Sequence, residues 1–335
     1  MGNPVLVEVL RGARVESRHH GAVAVVDADG ATVLSLGDIA EPIYPRSAVK
    51  AIQALPLVES GAAERFALGD KELALACASH GGEPAHVEVA SRMLARAGLD
   101  ATALECGAHW PSHQASAHAL ARAGGAPSAL HNNCSGKHSG FICFACAAGI
   151  DHHGYVAVSH AVQREVRAAL AGVTSFALVE DQFGVDGCSI PTFAIPLAAL
   201  ARGFARFGTG RTFAPERAKA AARLRAAVAA EPYFVAGTGR FGTDVMKLIG
   251  ARVFVKGGAE GVFCGALPEQ GLGIAIKCGD GAGRAAEVVM AAMIDRFLPL
   301  GEGERPEFAR FLRPALRNWN GIEVGGLRPA ETLQT

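Results

Sequence analysis

The sequence lacks any excess of charge of one sign. In 335 residues, 32 Lys and Arg residues balance 32 Asp and Glu residues, so the formal net charge is +0. No basic stripe and no acidic tail breaks this balance. The electrostatic attraction that dominates nucleic-acid binding is therefore missing. We expect no nucleic-acid partner, and a small, locally charged substrate instead.

The sequence also lacks an apolar run long enough to cross a bilayer, and its most apolar stretch, residues 141–150, predicts a short core helix. The first residues, MGNPVLVEVLRG, have no basic region followed by an apolar one and do not read as a signal peptide. We therefore expect no membrane partner and a cytoplasmic protein. Its eight cysteines are then mostly reduced, and serve burial, metal binding or catalysis instead of disulfides.

Half of the residues are hydrophobic, so a substantial core is expected, and their spacing predicts the elements around it. Alternating apolar residues predict strands at both ends of the chain. The stretches that carry them are VLVEVL, AVAVVDADG and TVLSLGD near the start, and ARVFVKGG, EGVFCGALPE and LGIAIKC near the end. Helical spacing begins near Ser47, with Pro56 ending or kinking that first segment. Further helices are predicted at about residues 84–97, 136–148, 161–170, 215–230 and 284–297.

This order of elements predicts the fold class. The two ends of the chain, about residues 1–45 and 250–300, supply strands, and the middle, about residues 46–250, is largely helical. Strands and helices segregated in this way are typical of an α+β, three-layer arrangement with an antiparallel sheet. We therefore expect one domain over residues 1–335, with helices on the faces of the sheet and a helical insertion.

Lysine is scarce in this chain, with seven residues, whereas arginine is abundant. A site that needs an amine able to lose its proton requires lysine, because a guanidinium stays charged in water. For any single lysine, the ordinary explanation is that a surface position has kept lysine by chance. The settings of Lys50, Lys137 and Lys256 point to chemistry instead.

Ser47 and Lys50 form a Ser-x-x-Lys motif. One helical turn would bring both side chains to the same face. A serine hydroxyl is a poor nucleophile until a neighbouring base takes its proton. Lys50 can be that base if burial and a second cation lower its pKa from about 10.4 towards about 7–8. The motif is short enough to arise by chance, so its surroundings must support it.

Lys256 is the candidate second cation. It ends an apolar strand and is followed by Gly257 and Gly258, where a substrate can approach the backbone. Ser79, in the stretch CASHGG, could relay a proton between the lysines and the leaving group. An ordinary turn before a helix that begins near Pro84 explains the same stretch equally well.

Two cysteines lie in unusual surroundings. Cys134 and Lys137 share a helical face in HNNCSGKH, and Cys188 lies in a tight turn, GVDGCS. Two thiolates and one nitrogen would leave the fourth tetrahedral position of a zinc ion open. His138 is the more conventional nitrogen ligand, and burial as a small hydrophobic residue is the simpler role for each cysteine.

The remaining cysteines and the histidine pairs predict no site. The cysteines have apolar or glycine neighbours and are assigned to packing: Cys77, Cys106, Cys143, Cys146, Cys264 and Cys278. The pairs His19-His20 and His152-His153 adjoin turns without any frame of carboxylates or cysteines, so we expect exposed loop histidines.

The order Ser47-x-x-Lys50, Ser79 and Lys256-Gly257-Gly258 resembles the three-motif layout of penicillin-recognising serine hydrolases and serine-type glutaminases. Longer stretches are similar to the asparaginase II family of the rhizobial type, the class 3 L-asparaginases. They are PRSAVKAIQAL, CASHGGEPAH, HNNCSGKHSGF, DGCSIPTFAIPL and VAGTGRF. The resemblance runs from about residue 5 to 297, and the segment 301–335 lies outside it.

The resemblance implies a β-lactamase-like fold, a homodimer, and hydrolysis of L-asparagine to aspartate and ammonia. It also implies roles for the residues at matching motif positions. These are Ser47 with Lys50 and Ser79 with Lys256 as serine-lysine pairs, Cys134, Lys137 and Cys188 as zinc ligands, and Arg46, His138 and Asp186 as pocket residues. Which serine is acylated does not follow, since the pairs could exchange roles.

Three rival interpretations share part of this pattern. A β-lactamase or peptidase would use the serine-lysine motifs but not the cysteine-lysine constellation. A glutaminase differs by one substrate methylene, a discrimination worth only about 1–3 kcal/mol, so minor glutaminase activity is expected. A metal-dependent amino-acid sensor would keep the metal ligands but has no use for two serine-lysine pairs.

Overall fold

The structure is a computed structural model that describes residues 2–333. The chain divides into two compact units. The first, the sheet unit, contains the chain up to Ala48, Ile195–Thr212 and the chain from Leu248 onward. The second, the helical unit, contains Val49–Ala194 and Phe213–Lys247.

Antiparallel strands from both chain ends build the sheet unit. They pair in the order β11-β12-β1-β2-β10-β9-β8, with β3 also paired to β2. Their bounds are β1 Val5–Arg11, β2 Arg14–Asp27, β3 Thr32–Leu36, β8 Phe254–Gly257, β9 Val262–Leu267, β10 Leu272–Cys278, β11 Ala315–Arg317 and β12 Glu323–Pro329. Two short strands, β4 Pro42–Ile43 and β7 Ile195–Pro196, pair separately.

Helices cover both faces of this sheet. In β9, Ala266 meets helix α9 (Leu197–Thr209) at Gly208, whereas the preceding Gly265 meets helix α13 (Gly283–Phe297) at Met290. Successive residues of a strand point to opposite faces, so α9 and α13 lie on opposite sides. The α+β, three-layer arrangement predicted from the sequence is confirmed.

The segment after residue 300, whose role the sequence left open, completes this unit. Strand β12 pairs with β1, with Val9 opposite Leu327, and β11 pairs with β12. Helix α14 (Glu304–Leu312) packs against α13. The sheet therefore takes strands from beyond the predicted 250–300 region.

The helical unit surrounds helix α7, whose first eleven residues are all buried. Its helices are α1 Lys50–Gln53, α2 Leu55–Glu59, α3 Ala62–Arg65, α4 Asp70–Ala76, α5 Pro84–Arg96, α6 Gln114–Arg122, α7 Ser135–Ala148, α8 Ala161–Thr174, α10 Pro215–Ala230, α11 Pro232–Ala236 and α12 Phe241–Ile249. Strands β5 Phe183–Val185 and β6 Pro191–Phe193 pair with each other. A Cβ on Gly136 would lie 2.4 Å from the Leu75 carbonyl oxygen, so α7 begins directly against the end of α4.

The predicted helices at 84–97, 136–148, 215–230 and 284–297 are confirmed within one residue at each end, and the helix predicted at 161–170 extends to Thr174. The predicted effect of Pro56 is also confirmed, because α1 ends at Gln53 and Pro56 lies in the first turn of α2. Among residues 2–333, no helix is long and apolar enough to span a membrane.

Candidate active site

Ser47 lies in a short 3₁₀ helix, Arg46–Val49, that leads directly into α1. Its neighbour Arg46 has a φ of +50°, a left-handed conformation that is costly for any residue with a Cβ. Backbone strain of this kind concentrates at functional sites. Ser47 and Arg46 are half-buried here. The predicted nucleophile therefore follows a strained residue at a fixed turn.

The chain after Lys256 lies against this turn within the sheet unit. A Cβ on Gly258 would come within 2.7 Å of the Pro45 carbonyl oxygen and 3.2 Å of the Ala48 nitrogen. Lys256 itself is buried in β8, and its Nζ donates a hydrogen bond to the Gly257 carbonyl oxygen at 2.7 Å. Only glycine allows this approach at position 258, which brings the Lys-Gly-Gly motif and the Ser47 turn together.

Gly258→Ala is expected to displace the Ser47 turn. Because the obstructing atoms are backbone, the variant should lose about 1–3 kcal/mol of unfolding free energy. It should also lose at least about tenfold in kcat, since catalytic geometry is more sensitive than stability. Thermal unfolding and ammonia-release kinetics measure the two effects. Gly283→Ala is the control, because no atom lies within 4 Å of its Cβ. Wild-type kcat in Gly258→Ala would show that the close approach is irrelevant to activity.

Lys50 is fully buried at the start of α1. Its Nζ donates hydrogen bonds to the carbonyl oxygen of Ala78 at 2.5 Å, the Oγ of Ser79 at 2.9 Å and the carbonyl oxygen of Asn133 at 3.4 Å. The resemblance pairs Lys50 with Ser47, whereas this geometry joins Lys50 to the hydroxyl of Ser79. An amine that loses one proton here could accept a hydrogen bond from the same hydroxyl.

Backbone hydrogen bonds fix the segment that carries Ser79. The Ser79 N–H donates to the Val235 carbonyl oxygen at 2.9 Å, and the His80 N–H donates to the Asn133 carbonyl oxygen at 3.2 Å. The His80 ring bonds the Ser135 hydroxyl at 3.0 Å and stacks on His86. Burial lowers the pKa of His80 well below 6.5, so the ring is neutral. The segment with Ser79 is therefore held between helix α11 and the turn before α7, two elements that sequence reasoning did not connect.

Glu83 and Thr238 tie the stretch HGGEP to the stretch VAGTGRF. Thr238 donates to the Glu83 carboxylate from its backbone nitrogen at 2.9 Å and from its hydroxyl at 2.7 Å. Burial opposes ionisation of Glu83, but these bonds outweigh it and hold its pKa below 4.5. A carboxyl group whose pKa falls on folding stabilises the protein above that range and loses its contribution as the pH falls through the folded pKa.

Thr238→Val should therefore lower the free energy of unfolding at pH 7 by about 1.5–3 kcal/mol, the usual worth of a hydrogen bond to a charged group. The variant should also lose less stability than the wild-type protein below pH 4.5, because its Glu83 pKa is lowered less by folding. Denaturant titrations at several pH values measure both effects. Thr102→Val is the matched control, because its hydroxyl bonds Asp100 at the surface. Equal effects of the two substitutions would contradict the role of the Glu83–Thr238 pair.

The three predicted metal ligands meet within the helical unit. Cys134 precedes α7, Lys137 follows one turn later, and Cys188 lies in a tight turn in which the Ser189 N–H donates to the Asp186 carbonyl oxygen. Lys137 Nζ donates to Cys188 Sγ at 3.0 Å. The Cys134 thiol donates to the Asn133 side-chain oxygen at 3.2 Å, it is close enough to Cys188 for each to influence the other's pKa, and all three ligand residues are buried.

The charges within this trio are coupled. The neighbouring Cys188 lowers the pKa of Cys134 well below 9.0, aided by the charges of Lys50 and Lys137 and opposed by burial. Its interaction with Cys134, together with burial, raises the pKa of Cys188. Burial lowers the pKa of Lys137, but Cys134 and Cys188 outweigh it and raise it above 10.5. The trio therefore couples two thiols and an amine, and a metal cation bound there would have to displace their protons.

This donor set fits zinc. Two thiols and an amine converge at one buried point, and zinc prefers sulfur and nitrogen donors in tetrahedral sites that can keep one position open. Asp186 is half-buried beside the trio, and its charge supports the ammonium of Lys137. The other group of possible ligands among residues 2–333, Asp151 with His152 and His153, lies in a largely exposed turn.

His138 lies next to Lys137 in α7 and is fully buried. Its Nδ1 lies 2.7 Å from the hydroxyl of Tyr155, and its Nε2 has no hydrogen-bond partner among the described residues. Sequence reasoning missed Tyr155. Its signal was weak, because a single tyrosine in an irregular segment has no motif around it.

The histidine assignments need correction. His19 lies in β2, is buried, and its Nδ1 bonds the carboxylate of Asp280, so the prediction of an exposed loop residue was wrong. His153 is exposed as predicted, but it bonds Asp151 at 2.7 Å. Asp280 follows β10, far along the chain, and sequence proximity could not reveal it. The packing assignments of Cys77, Cys106, Cys143, Cys264 and Cys278 are confirmed by burial, and Cys146 is half-buried.

Comparison with known proteins identifies the family and, with it, the class of enzyme, an amidohydrolase. The L-asparaginase II family model matches residues 7–329, so the chain belongs to that family. No curated protein matches the sequence. A β-lactamase from Mycobacterium bovis is a similar solved structure, with 14% sequence identity, a TM-score of 0.37, and alignment over 86% of this chain and 94% of that chain.

Proposed function

We propose that this L-asparaginase II family member hydrolyses the side-chain amide of L-asparagine by serine-lysine nucleophilic catalysis beside an auxiliary zinc site. The observation that carries this proposal is the fully buried Lys50, whose Nζ bonds the Ser79 hydroxyl at 2.9 Å. A serine hydroxyl in direct hydrogen-bond contact with a side-chain amine is the arrangement that serine-lysine catalysis requires. The substrate is a small molecule, as the family implies.

Ser47 is the proposed nucleophile, since it lies three residues before Lys50 in one continuous helical segment. Its oxygen attacks the amide carbonyl carbon while neutral Lys50 accepts the hydroxyl proton. The resulting oxyanion would accept hydrogen bonds from the Ser47 N–H and from the backbone after Lys256, a stabilisation often worth several kcal/mol. Collapse breaks the carbon–nitrogen bond, and water then hydrolyses the acyl-enzyme.

Ser79 and Lys256 have the supporting roles in this proposal. The Ser79 hydroxyl, bonded to Lys50, can pass the accepted proton towards the departing ammonia. Lys256 is the second cation that the resemblance pairs with Ser79. The bond between Lys50 and Ser79 also supports the reverse assignment, in which Ser79 is acylated. Separate alanine variants of the two serines distinguish these assignments.

Cys134, Lys137 and Cys188 would hold the zinc ion, which supplies a positive charge that can orient the α-groups of the substrate. His138 and Asp186 lie beside the trio and Arg46 beside Ser47, so these three are the proposed substrate-binding residues. The proton transfers of the reaction stay with the serines and lysines. This division of roles predicts different kinetic effects for the two sets of residues.

The purified protein is expected to carry up to one zinc per chain and to lose it as the pH falls, because the ligands must be deprotonated to bind. Chelation or Cys188→Ser should raise KM more than it lowers kcat. Cys146→Ser, outside the trio, is the control. Metal analysis with kinetics before and after chelation decides the matter: a metal-free protein of full activity refutes the site, and a collapse of kcat refutes the auxiliary role.

A substrate panel separates the rival functions. Ammonia release from L-asparagine should exceed release from L-glutamine, with minor glutaminase activity because the substrates differ by one methylene. Turnover of nitrocefin without amidase activity would support a β-lactamase instead. Saturable binding of amino acids without any turnover would support a sensor. We further expect a cytoplasmic protein that forms a homodimer; the resemblance implies the dimer, and sedimentation measures that assembly.

A further inference from the structure

The direction of the hydrogen bond between His138 and Tyr155 follows from its neighbours. The Tyr155 hydroxyl oxygen accepts a bond from the backbone N–H of Glu105 at 2.9 Å. A backbone amide can only donate, so the hydroxyl proton needs an acceptor elsewhere, and His138 Nδ1 lies 2.7 Å away. Burial of Tyr155 raises its pKa, which keeps that proton on the oxygen.

This direction fixes the chemical state of the His138 ring. A nitrogen that accepts a hydrogen bond carries no proton, so Nδ1 is bare, the ring is neutral, and its proton is on Nε2. That Nε2–H is buried and has no partner among the described residues. Buried polar groups without partners are rare in folded proteins, and each calls for an explanation such as a catalytic role or a bound water, ion or ligand.

The ring lies where a substrate is expected. The positive charges of Lys137 and Lys50 disfavour a charged His138 ring, and the Cys188 thiol disfavours ionisation of Tyr155. Phe141 and Tyr155 pack against the imidazole, with ring centroids 5.8 Å and 5.3 Å from it. These contacts restrict the ring plane, so that the free N–H has one direction.

We propose that Tyr155 is a positioning residue. Together with the Glu105 amide, it holds His138 in a single tautomer. The Nε2–H of that tautomer donates a hydrogen bond to an oxygen of the bound amino-acid substrate. The identity of that acceptor rests on the proposed function, whereas the tautomer does not. Substrate binding would thereby satisfy a donor that folding leaves unpaired.

Nitrogen NMR of the wild-type protein tests the tautomer directly. Long-range proton–nitrogen correlations on histidine-labelled protein, with His138 assigned by His138→Gln, should show a bare, hydrogen-bonded Nδ1 and a protonated Nε2. L-aspartate, the product of the proposed reaction, should shift the Nε2–H resonance at concentrations at which calorimetry shows binding. A proton on Nδ1 overturns the proposal, as does an unchanged Nε2–H with L-aspartate bound.

Because the tautomer is measured without turnover, it can be confirmed even if L-asparagine releases no ammonia, so the two failures are distinguishable.

Kinetics supply the second test. Tyr155→Phe should raise KM for L-asparagine about tenfold, the usual effect of losing one well-placed hydrogen bond, and change kcat much less. Glu88→Gln, on the exposed side of α5, is the control and should leave KM unchanged. His138→Gln should retain part of the affinity, since its amide keeps an N–H donor.

An unchanged KM in folded Tyr155→Phe overturns the positioning role. If that variant does not fold, the wild-type tautomer decides the question alone. A fall in kcat of Tyr155→Phe as large as its rise in KM would also overturn the proposal, since a residue that positions a substrate-binding donor acts mainly on KM.

Discussion

Ser47→Ala is expected to lower kcat for L-asparagine by at least about a thousandfold while leaving the fold intact, because losing a nucleophile removes the covalent route entirely. The side chain is half-buried in a 3₁₀ turn, so its truncation is structurally inexpensive. Circular dichroism and the thermal midpoint check the fold, and ammonia release measures the rate. Ser91→Ala, on the exposed face of α5, is the control.

Activity of Ser47→Ala above a tenth of wild type would make Ser47 an unsuitable nucleophile. Ser79→Ala gives the contrast, because Ser79 is the hydroxyl bonded to Lys50. If Ser79 only relays a proton, its loss should cost less, about the hundredfold typical of one acid–base contribution. The opposite ranking of the two variants would exchange their roles.

Lys50→Arg is expected to be as damaging as Lys50→Ala, each lowering kcat by about 10²–10⁴-fold. Arginine keeps the positive charge but cannot lose a proton in water, so it replaces the electrostatic role and not the base. Lys71→Arg, on the exposed side of α4, is the control for the same substitution elsewhere.

Lys50 is fully buried, so the larger arginine also tests packing. Lys50→Ala separates the effects, because a small primary amine added to the solution should restore part of its turnover if the missing group is a base. An active arginine variant, or no rescue of a folded alanine variant, would reduce Lys50 to an electrostatic support.

The strands and long helices were predictable because their side-chain patterns reflect one buried face. In strand β2, for example, exposed and buried residues alternate at first, and the residues are then continuously buried and mostly apolar where the strand lies between β3 and β10. Strands β11 and β12 were not predicted, because EVGGLRP has glycines where apolar residues would mark a face. Its glycines instead let β12 approach β1, where a Cβ on Gly325 would lie 1.9 Å from the Leu10 carbonyl oxygen.

Sequence spacing indicated candidate site residues but not their partners. Cys134 and Lys137 are one turn apart, so their meeting was expected, and the motif containing Cys188 suggested the third ligand. The bond between Lys50 and Ser79 joins residues 29 positions apart through tertiary packing, which no local pattern encodes. The same holds for Tyr155 and His138, whose relation depends on a backbone amide at residue 105.

Partitioning with hydroxylamine tests the central claim most directly, because an acyl-enzyme can be captured by a nucleophile other than water. L-asparagine and the β-methyl ester of L-aspartate should give the same ratio of aspartyl hydroxamate to aspartate, since both pass through one acyl-enzyme. Ser47→Ala should give neither product at an appreciable rate. Absence of hydroxamate, or ratios that differ between the two substrates, would contradict a shared acyl-serine intermediate and favour direct attack by water.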